Sequence, residues 1–147
     1  MRAVVTRVTE ASCSINGNIT SSIGLGLLVL LAIGPDDDES TATLLASKVS
    51  ATRIFSDDKG KMNLALADVG GEILVISQFT LYADCKKRRP SFSKAMEPVR
   101  AEKLYLDFVK ELEKAGASVK TGEFAADMQI ASVNDGPVTL IFDTADF

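Results

Sequence analysis

Two short stretches of the chain combine hydroxyl, amide and turn-forming residues in patterns that could carry chemistry. Residues 77–84 have the sequence SQFTLYAD, and residues 134–140 have the sequence NDGPVTL. In the first stretch, backbone N–H groups around Phe79 and Thr80 could hold an oxyanion, with the hydroxyl groups of Ser77 and Thr80 nearby. The simpler alternative is a strand end whose polar residues face water.

The second stretch places Gly136-Pro137 between two apolar runs. Proline has no N–H for a β-ladder and restricts the residue before it. Because Asn, Asp, Gly and Pro are turn residues, the simpler interpretation is a hairpin between strands over 128–133 and 138–142. The alternative is a backbone segment that is displayed to a ligand.

A third stretch is strongly basic and ends in RPSF. The net charge of the chain is −4 and its pI is about 4.8, which argues against a non-specific nucleic-acid binder. A local basic patch on an acidic protein can still hold one phosphate strand, although such a run is more often a solvated loop. The basic residues are Lys86, Lys87, Arg88 and Arg89.

The chain contains no histidine. This absence excludes Ser-His-Asp and Cys-His catalysis within one chain, and also histidine-ligated zinc or iron. Cys13 and Cys85 lie far apart, which favours reduced thiols over a disulfide or zinc framework. The acidic residues 36–39 resemble a carboxylate cluster, but the N-terminus of a helix explains them more simply. We therefore expect no metal and no cofactor.

Hydrophobic periodicity predicts the elements that must position these stretches. Helices are expected over 40–53 and 98–115, and the second begins at a proline and carries an apolar stripe. Strands are expected over 3–15 (one or two), 24–33, 72–82 and 118–124, in addition to the two named above. The 147 residues are expected to form one compact α+β domain. The stripe consists of Leu104, Tyr105, Phe108, Val109 and Leu112.

Location can also be predicted from composition. No run of about 18 apolar residues is present, so we expect no membrane span. The N-terminal residues MRAVVTRVTE lack the long apolar region of a signal peptide. The default expectation is the cytoplasm.

In this order, the stretches resemble the D-aminoacyl-tRNA deacylase family, also called D-tyrosyl-tRNA deacylase. The resemblance covers nearly the whole chain, from MRAVVTRVTEASCSINGN to FAADMQIASVNDGPVTL. Two motifs are specific to the family, SQxxL at residues 77–81 and NxGPxT at residues 134–139. The family pattern has a glycine among the basic residues before RPSF, and this chain lacks it.

The resemblance implies hydrolysis of the ester that joins a D-amino acid to the 3′-terminal adenosine of tRNA. It also implies removal of glycine mischarged onto tRNA for alanine, and rejection of L-aminoacyl-tRNA. The implied assembly is a homodimer of barrel-like subunits. In it, a cis Gly136-Pro137 step enters the active site of the other subunit and fills the space that an L side chain needs.

The resemblance also assigns roles within this chain. The resemblance implies that the ribose 2′-OH takes part. We expect water to attack the ester while N–H groups of Phe79 and Thr80 hold the oxyanion, with Thr80 as a covalent nucleophile the rival mechanism. The adenine is expected to stack against two aromatic rings. The expected catalytic residues are Ser77, Gln78, Phe79 and Thr80, the substrate-binding residues are Phe124, Met128, Gly136, Pro137 and Thr139, and the phosphate contacts are Lys86, Lys87, Arg88 and Arg89.

Two other classes of function remain open at the level of sequence. One is a module that binds the tRNA 3′ end without turnover, although two intact motifs argue against it. The other is a small-molecule esterase that uses Thr80 or Ser77 alone. Dependence on the 2′-OH of the substrate separates the deacylase from the esterase, and single-turnover kinetics separate it from the binding module.

Overall fold

The central element of the computed structural model, which describes residues 1–147, is one long strand. β1 (Arg2–Ile15) pairs antiparallel with three other strands. On one side its first half pairs with β3 (Gly26–Ala32) and its second half with β2 (Asn18–Ile23). On the other side it pairs along its length with β8 (Gln129–Asp143). β1 therefore joins both halves of the sheet, as its richness in β-branched residues suits.

The sheet continues from β3 into two parallel strands and curls back on itself. β3 pairs with β6 (Glu72–Ser77), and β6 pairs with β7 (Ser118–Thr121). The Lys120 ammonium on β7 donates to the backbone carbonyl of Ser22 on β2 at 2.6 Å. This contact links β7 and β2, the two edge strands of the sheet, so that the sheet is a nearly closed barrel. β4 (Phe55–Ser56) and β5 (Met62–Leu64) form a separate small hairpin.

Two helices cover the sheet and complete the main core. α1 (Glu39–Ala51) and α2 (Pro98–Lys114) pack against each other, within two residues of the predicted bounds. The predicted apolar stripe of α2 is fully buried in a core shared with α1, β1, β3 and β6. Asp38 caps α1, and hydrogen bonds from the Ser40 hydroxyl and the Thr41 N–H lower the pKa of Asp38 to about 2.

Four predicted strands are wrong in their bounds, and three of them adjoin the two motifs at residues 77–84 and 134–140. The predicted strand over 72–82 ends at Ser77, and Phe79–Tyr82 form a short 3-10 turn instead. The strand predicted over 118–124 ends at Thr121. The last two predicted strands are one continuous strand, β8, so the predicted hairpin at residues 134–137 does not exist.

The predicted α+β class, with a barrel-like sheet and two main helices, is confirmed. No helix combines the length and the apolar character needed to cross a membrane. Both cysteines are free thiols; Cys13 is buried and Cys85 is exposed.

Candidate active site

The chain leaves the barrel at the end of β6, and this exit forms the centre of the candidate site. Ser77 is the last residue of β6, and the next backbone N–H, that of Gln78, still donates to Leu31 on β3 at 2.7 Å. The chain then turns through Phe79–Tyr82. The first N–H groups of a helical turn have no acceptor inside it. The N–H groups of Phe79 and Thr80 therefore have no acceptor within the turn.

The Thr80 hydroxyl is oriented by its neighbour in the motif. The side-chain amide of Gln78 donates to Thr80 Oγ1 at 2.6 Å. This is the one side-chain hydrogen bond of Thr80, and it joins the hydroxyl to no carboxylate or amine. Gln78 thus orients the Thr80 side chain, but an amide donor cannot take a proton from a hydroxyl.

A cavity of about 630 Å³ opens beside this turn. Its walls come from the ends of β3 and β6, from the segment that leads into α2, and from residues 124–128. Most of the lining side chains are apolar, as in small-molecule sites generally. Five of the residues predicted from the sequence line this one cavity: Ser77, Gln78, Phe79, Phe124 and Met128.

Aromatic rings border the cavity on two sides. The Phe79 ring is 55% exposed and meets the Phe92 ring edge to face, with ring centroids 5.2 Å apart. Across the cavity, Phe124 packs against Tyr105 at 5.9 Å between centroids. Phe92 has no role in the sequence prediction, and its position beside a basic run was the only signal for it. Exposed ring faces of this kind suit a nucleobase.

Two other residues of the cavity were missed from the sequence. Ala125 has a φ of +62°, a left-handed conformation that L residues other than Asn and Asp rarely adopt. Asp127 lines the cavity, and its carboxylate makes no hydrogen bond or ion pair within the chain. The other carboxylate in the lining, Glu97, is occupied because it caps α2 through the N–H groups of Val99 and Arg100.

The Gly136-Pro137 step bulges out of the β1–β8 ladder. The pairs that flank it are Thr6 with Thr139 and Val8 with Asn134, so four residues of β8 face Arg7 alone. The Gly136-Pro137 bond is cis, as the resemblance implies, and both residues are exposed.

Arg7 is the buried support of this bulge. One guanidinium N–H donates to the Ile54 carbonyl at 2.5 Å, and Nε lies 2.9 Å from the Asp135 carboxylate. Gly136 has a φ of +115°, and a Cβ there would lie 2.9 Å from Arg7 Nη2. Only glycine fits this position without a backbone or side-chain shift.

The bulge does not reach the cavity of its own chain. Neither Gly136, Pro137 nor Thr139 contributes to the cavity lining. Instead, the Thr139 and Thr6 hydroxyl groups form a hydrogen bond of 3.1 Å on the β1–β8 ladder. Among the predicted catalytic and substrate-binding residues, five therefore line the cavity, Thr80 lies in the turn beside it but outside the lining, and Gly136, Pro137 and Thr139 lie on the exposed side of β8.

The basic stretch forms a loop next to the cavity. Backbone bonds of 2.8 and 3.0 Å between Asp84 and Ser91 close its base, and Phe92 then joins the cavity wall. The four cations at its tip are exposed and have no ion-pair partner. They are Lys86, Lys87, Arg88 and Arg89.

The protein is a nearly closed barrel with an apolar cavity, and a cationic loop lies beside the cavity. The family model described as D-Tyr-tRNA(Tyr) deacylase matches residues 4–143. A protein of Lacticaseibacillus casei (strain BL23), named D-aminoacyl-tRNA deacylase, is 54% identical over 98% of both chains. A protein of the same name from Roseiflexus castenholzii is 53% identical over 100% of this chain and 94% of its own. The chain belongs to the D-Tyr-tRNA(Tyr) deacylase family.

Two solved structures share the fold of this chain. One described as the c-Myc DNA Unwinding Element Binding Protein has a TM-score of 0.92 and 39% identity, over 97% of this chain and 98% of its own. A second, described as a probable eukaryotic D-amino acid tRNA deacylase, has a TM-score of 0.82 at 17% identity, over 96% of this chain and 97% of its own. At that identity the second likeness shows the fold alone.

Proposed function

We propose that this protein hydrolyses the ester bond of D-aminoacyl-tRNA and releases the free D-amino acid and tRNA. Family membership and relatives named for this activity support the proposal. The observation that carries it is the turn after β6, which leaves two N–H groups free beside an apolar cavity of about 630 Å³. That volume lies within the range for sites that enclose a small ligand.

The proposed mechanism needs no histidine. Water attacks the ester carbonyl carbon, and the negative charge that develops on the carbonyl oxygen is held by the N–H groups of Phe79 and Thr80. The bond from that carbon to the ribose 3′ oxygen then breaks, and that oxygen leaves as a hydroxyl by taking up the proton that the attacking water gives up. The adjacent 2′-OH of the substrate takes part as a hydrogen-bonding group beside the leaving oxygen. An aminoacyl ester is already activated, so modest assistance is sufficient.

A covalent mechanism through Thr80 is less well supported. A nucleophilic hydroxyl requires a base that accepts its proton. The hydrogen-bond partner of Thr80 Oγ1 is the Gln78 amide, which donates and cannot accept in that contact. Gln78 and Ser77 are therefore assigned to scaffold and orienting roles.

The end of the tRNA is proposed to lie across the cavity mouth. The terminal adenine would stack against Phe79 and Phe124, where stacking contributes about 1–3 kcal/mol per base, and Met128 would line the same pocket. Preceding phosphates would reach the exposed cations of the basic loop (Lys86, Lys87, Arg88 and Arg89). Binding through such contacts weakens steeply as the salt concentration rises.

The site is proposed to be completed by a second copy of the chain. Gly136-Pro137 is exposed and lies outside the cavity of its own chain, so it can act in the cavity of a partner. Apolar side chains surround it on β8: Val133 is 50% exposed and Ile141 is 73% exposed. The accessible surface of 8286 Å² also exceeds the value of about 7,300 Å² expected for a monomer of 15.7 kDa.

The site would distinguish D- from L-aminoacyl esters by steric exclusion of the L side chain. A rigid Gly136-Pro137 backbone in the cavity occupies the space of an L side chain, and its carbonyl groups can accept hydrogen bonds from the substrate ammonium. Exclusion of this kind requires little recognition of the D side chain. Glycine has no side chain and passes the same filter, so glycine mischarged onto tRNA for alanine is a second proposed substrate. The reaction is assigned to the cytoplasm, where tRNA is charged.

Two measurements test this proposal against the alternatives. Single-turnover deacylation of D-tyrosyl-tRNA separates an enzyme from a module that only binds the tRNA 3′ end. A matched substrate with a 2′-deoxy terminal nucleotide separates a substrate-assisted deacylase from an esterase that uses Thr80 or Ser77. We expect rapid release from the first substrate and a large loss of rate with the second. Equal rates for the two substrates would contradict the role of the 2′-OH.

A further inference from the structure

The turn that carries the proposed oxyanion donors is too short to hold its own orientation. The backbone bonds at the two ends of Phe79–Tyr82 include Leu81 N–H to Gln78 at 3.1 Å and Ala83 N–H to Thr80 at 3.0 Å. Short 3-10 turns have poorer hydrogen-bond geometry than α-helices. The orientation of this turn must therefore be fixed by contacts from outside it.

Arg2 makes such a contact at the far end of the turn. Its Nη1 donates to the Leu81 carbonyl at 2.8 Å, an oxygen at the end of the turn that no turn N–H reaches. The guanidinium also lies over the Tyr82 ring, with Cζ 4.9 Å from the ring centroid. A charged donor and a cation–π contact together hold the end of the turn against β1.

Arg2 is itself held in place by Asp143 at the end of β8. Arg2 Nε and Nη2 donate to Asp143 Oδ2 at 2.9 and 2.6 Å. The other oxygen of Asp143 accepts from the Ala145 N–H at 3.2 Å, which fixes the carboxylate. The planar guanidinium can bind the carboxylate on one edge and the carbonyl on another, and a lysine ammonium cannot reproduce that arrangement.

We propose that Arg2 and Asp143 form a clamp that positions the Phe79–Tyr82 turn, so that its N–H groups point at the substrate carbonyl. This inference rests on the proposed function for the identity of the substrate. Arg2 does not line the cavity and touches no part of the proposed ligand position. It is therefore a positioning residue, linking β1, β8 and the turn.

The clamp predicts a specific kinetic pattern. Donors that hold the developing charge act mainly in the transition state, so loss of the clamp lowers kcat and leaves KM nearly unchanged. A misplacement of about 1 Å can cost about 100-fold in rate. For Arg2→Met we expect kcat to fall about 10- to 100-fold with KM within about twofold. Arg2→Lys keeps the charge but can contact only one of the Asp143 carboxylate and the Leu81 carbonyl at a time. We therefore expect an intermediate kcat.

The experiment compares Arg2→Met, Arg2→Lys and Asp143→Asn with wild type on D-tyrosyl-tRNA. Lys103→Met is the matched control, because it removes an exposed cation that pairs with Glu39 and Asp107 far from the turn. ¹⁵N order parameters of the Phe79 and Thr80 amides are measured in parallel. In Arg2→Met we expect them to fall from about 0.85 towards 0.6, while those of β3 do not change.

The clamp is supported if kcat and the two order parameters fall together in Arg2→Met and Lys103→Met behaves as wild type. It is overturned if Arg2→Met is folded and keeps the wild-type kcat, or if Lys103→Met loses as much. If Arg2→Met fails to fold, kcat and the two order parameters are measured in Arg2→Lys and Asp143→Asn instead. Wild-type values in both variants would overturn the clamp. If wild type itself does not deacylate D-tyrosyl-tRNA, the proposed function fails, and the order parameters still decide on the clamp.

Discussion

At the scale of single residues, the candidate mechanism depends on which groups around Thr80 can accept a proton. Thr80 Oγ1 accepts from the Gln78 amide and has no base beside it. We predict that Thr80→Val lowers kcat for D-tyrosyl-tRNA less than about tenfold, because the backbone N–H is retained. The control is Thr43→Val, which removes an exposed hydroxyl on α1. Complete loss of turnover in folded Thr80→Val, with tRNA binding intact, would favour the covalent mechanism.

Ala125 offers a stability prediction at the rim of the cavity. Its φ of +62° is costly for alanine and free of strain for glycine. After allowance for the greater freedom of glycine in the unfolded chain, Ala125→Gly should raise the free energy of unfolding by about 0.5 kcal/mol. Urea denaturation measures this change. Ala126→Gly, at a position without positive φ, should destabilise instead, and a loss of stability in Ala125→Gly would contradict the argument.

Contiguity in the sequence explains why three of the four predicted catalytic residues lie together, although Thr80 of the same motif is not part of the cavity lining. Ser77, Gln78 and Phe79 follow one another, and the structure places all three in one cavity. Phe92 and Ala125 could not be assigned, since their roles depend on contacts and backbone angles that arise only when distant segments meet. The roles of all these residues in catalysis remain predictions.

At the scale of elements, the largest error concerns β8. Turn residues at 134–137 predict a hairpin locally. The structure shows one strand instead, because β1 is long enough to pair with both halves of β8 and leaves the four residues opposite Arg7 as a bulge. Tertiary pairing here overrides local turn propensity, and the extra residues are accommodated as a bulge.

The bulge yields a prediction about selectivity. In Gly136→Ala the new Cβ would lie 2.9 Å from Arg7 Nη2 at a φ that alanine rarely adopts, so the bulge must shift. We expect the ratio of D- to L-tyrosyl-tRNA deacylation rates to fall at least about tenfold, a difference of about 1.4 kcal/mol. Gly60→Ala has a similar φ strain, with nothing near its Cβ, and is the matched control. An unchanged ratio in Gly136→Ala would contradict the proposed filter.

The N-terminus of α1 yields a prediction about pH. The folded-state pKa of Asp38 is about 2, below its ordinary value of 3.8, so its contribution to stability is present above pH 3.8 and is lost as the pH falls towards 2. Asp38→Ala should therefore lower the melting temperature at pH 7, and the difference from wild type should shrink below pH 3.8. Asp36→Ala, outside the cap, is the control. A difference independent of pH would contradict the assignment of the stability to the ionised cap.

At the scale of the whole molecule, the α+β class and both helices followed from hydrophobic periodicity. The near-closure of the barrel did not, because it depends on sheet curvature and on a contact between Lys120 and Ser22, 98 residues apart. Hydrophobic periodicity likewise does not predict whether the chain forms a dimer. Its support comes from the separation of Gly136-Pro137 and the cavity within one chain.

A shared site predicts complementation between two defective variants. A Phe79→Ala subunit has a damaged cavity and an intact bulge, and a Gly136→Ala subunit has the reverse. When equal amounts are mixed under exchange conditions, half of the dimers are mixed and each contains one site with both parts intact, so D-selective deacylation (the rate on D-tyrosyl-tRNA minus the rate on L-tyrosyl-tRNA) should approach about a quarter of wild type. Light scattering of the wild type and of each variant is the control for dimer formation. Full activity in a demonstrated monomer would contradict the shared site.

The central claim is most directly tested by deacylation of matched D-tyrosyl- and L-tyrosyl-tRNA by the purified protein without added metal. Both substrates carry the same tRNA and side chain, so only the configuration at the α-carbon differs. The account predicts rapid release of tyrosine from the D ester alone. Equal release from both esters would be consistent with a hydrolase but would contradict the Gly136-Pro137 filter. No release from either ester would contradict the deacylase function itself.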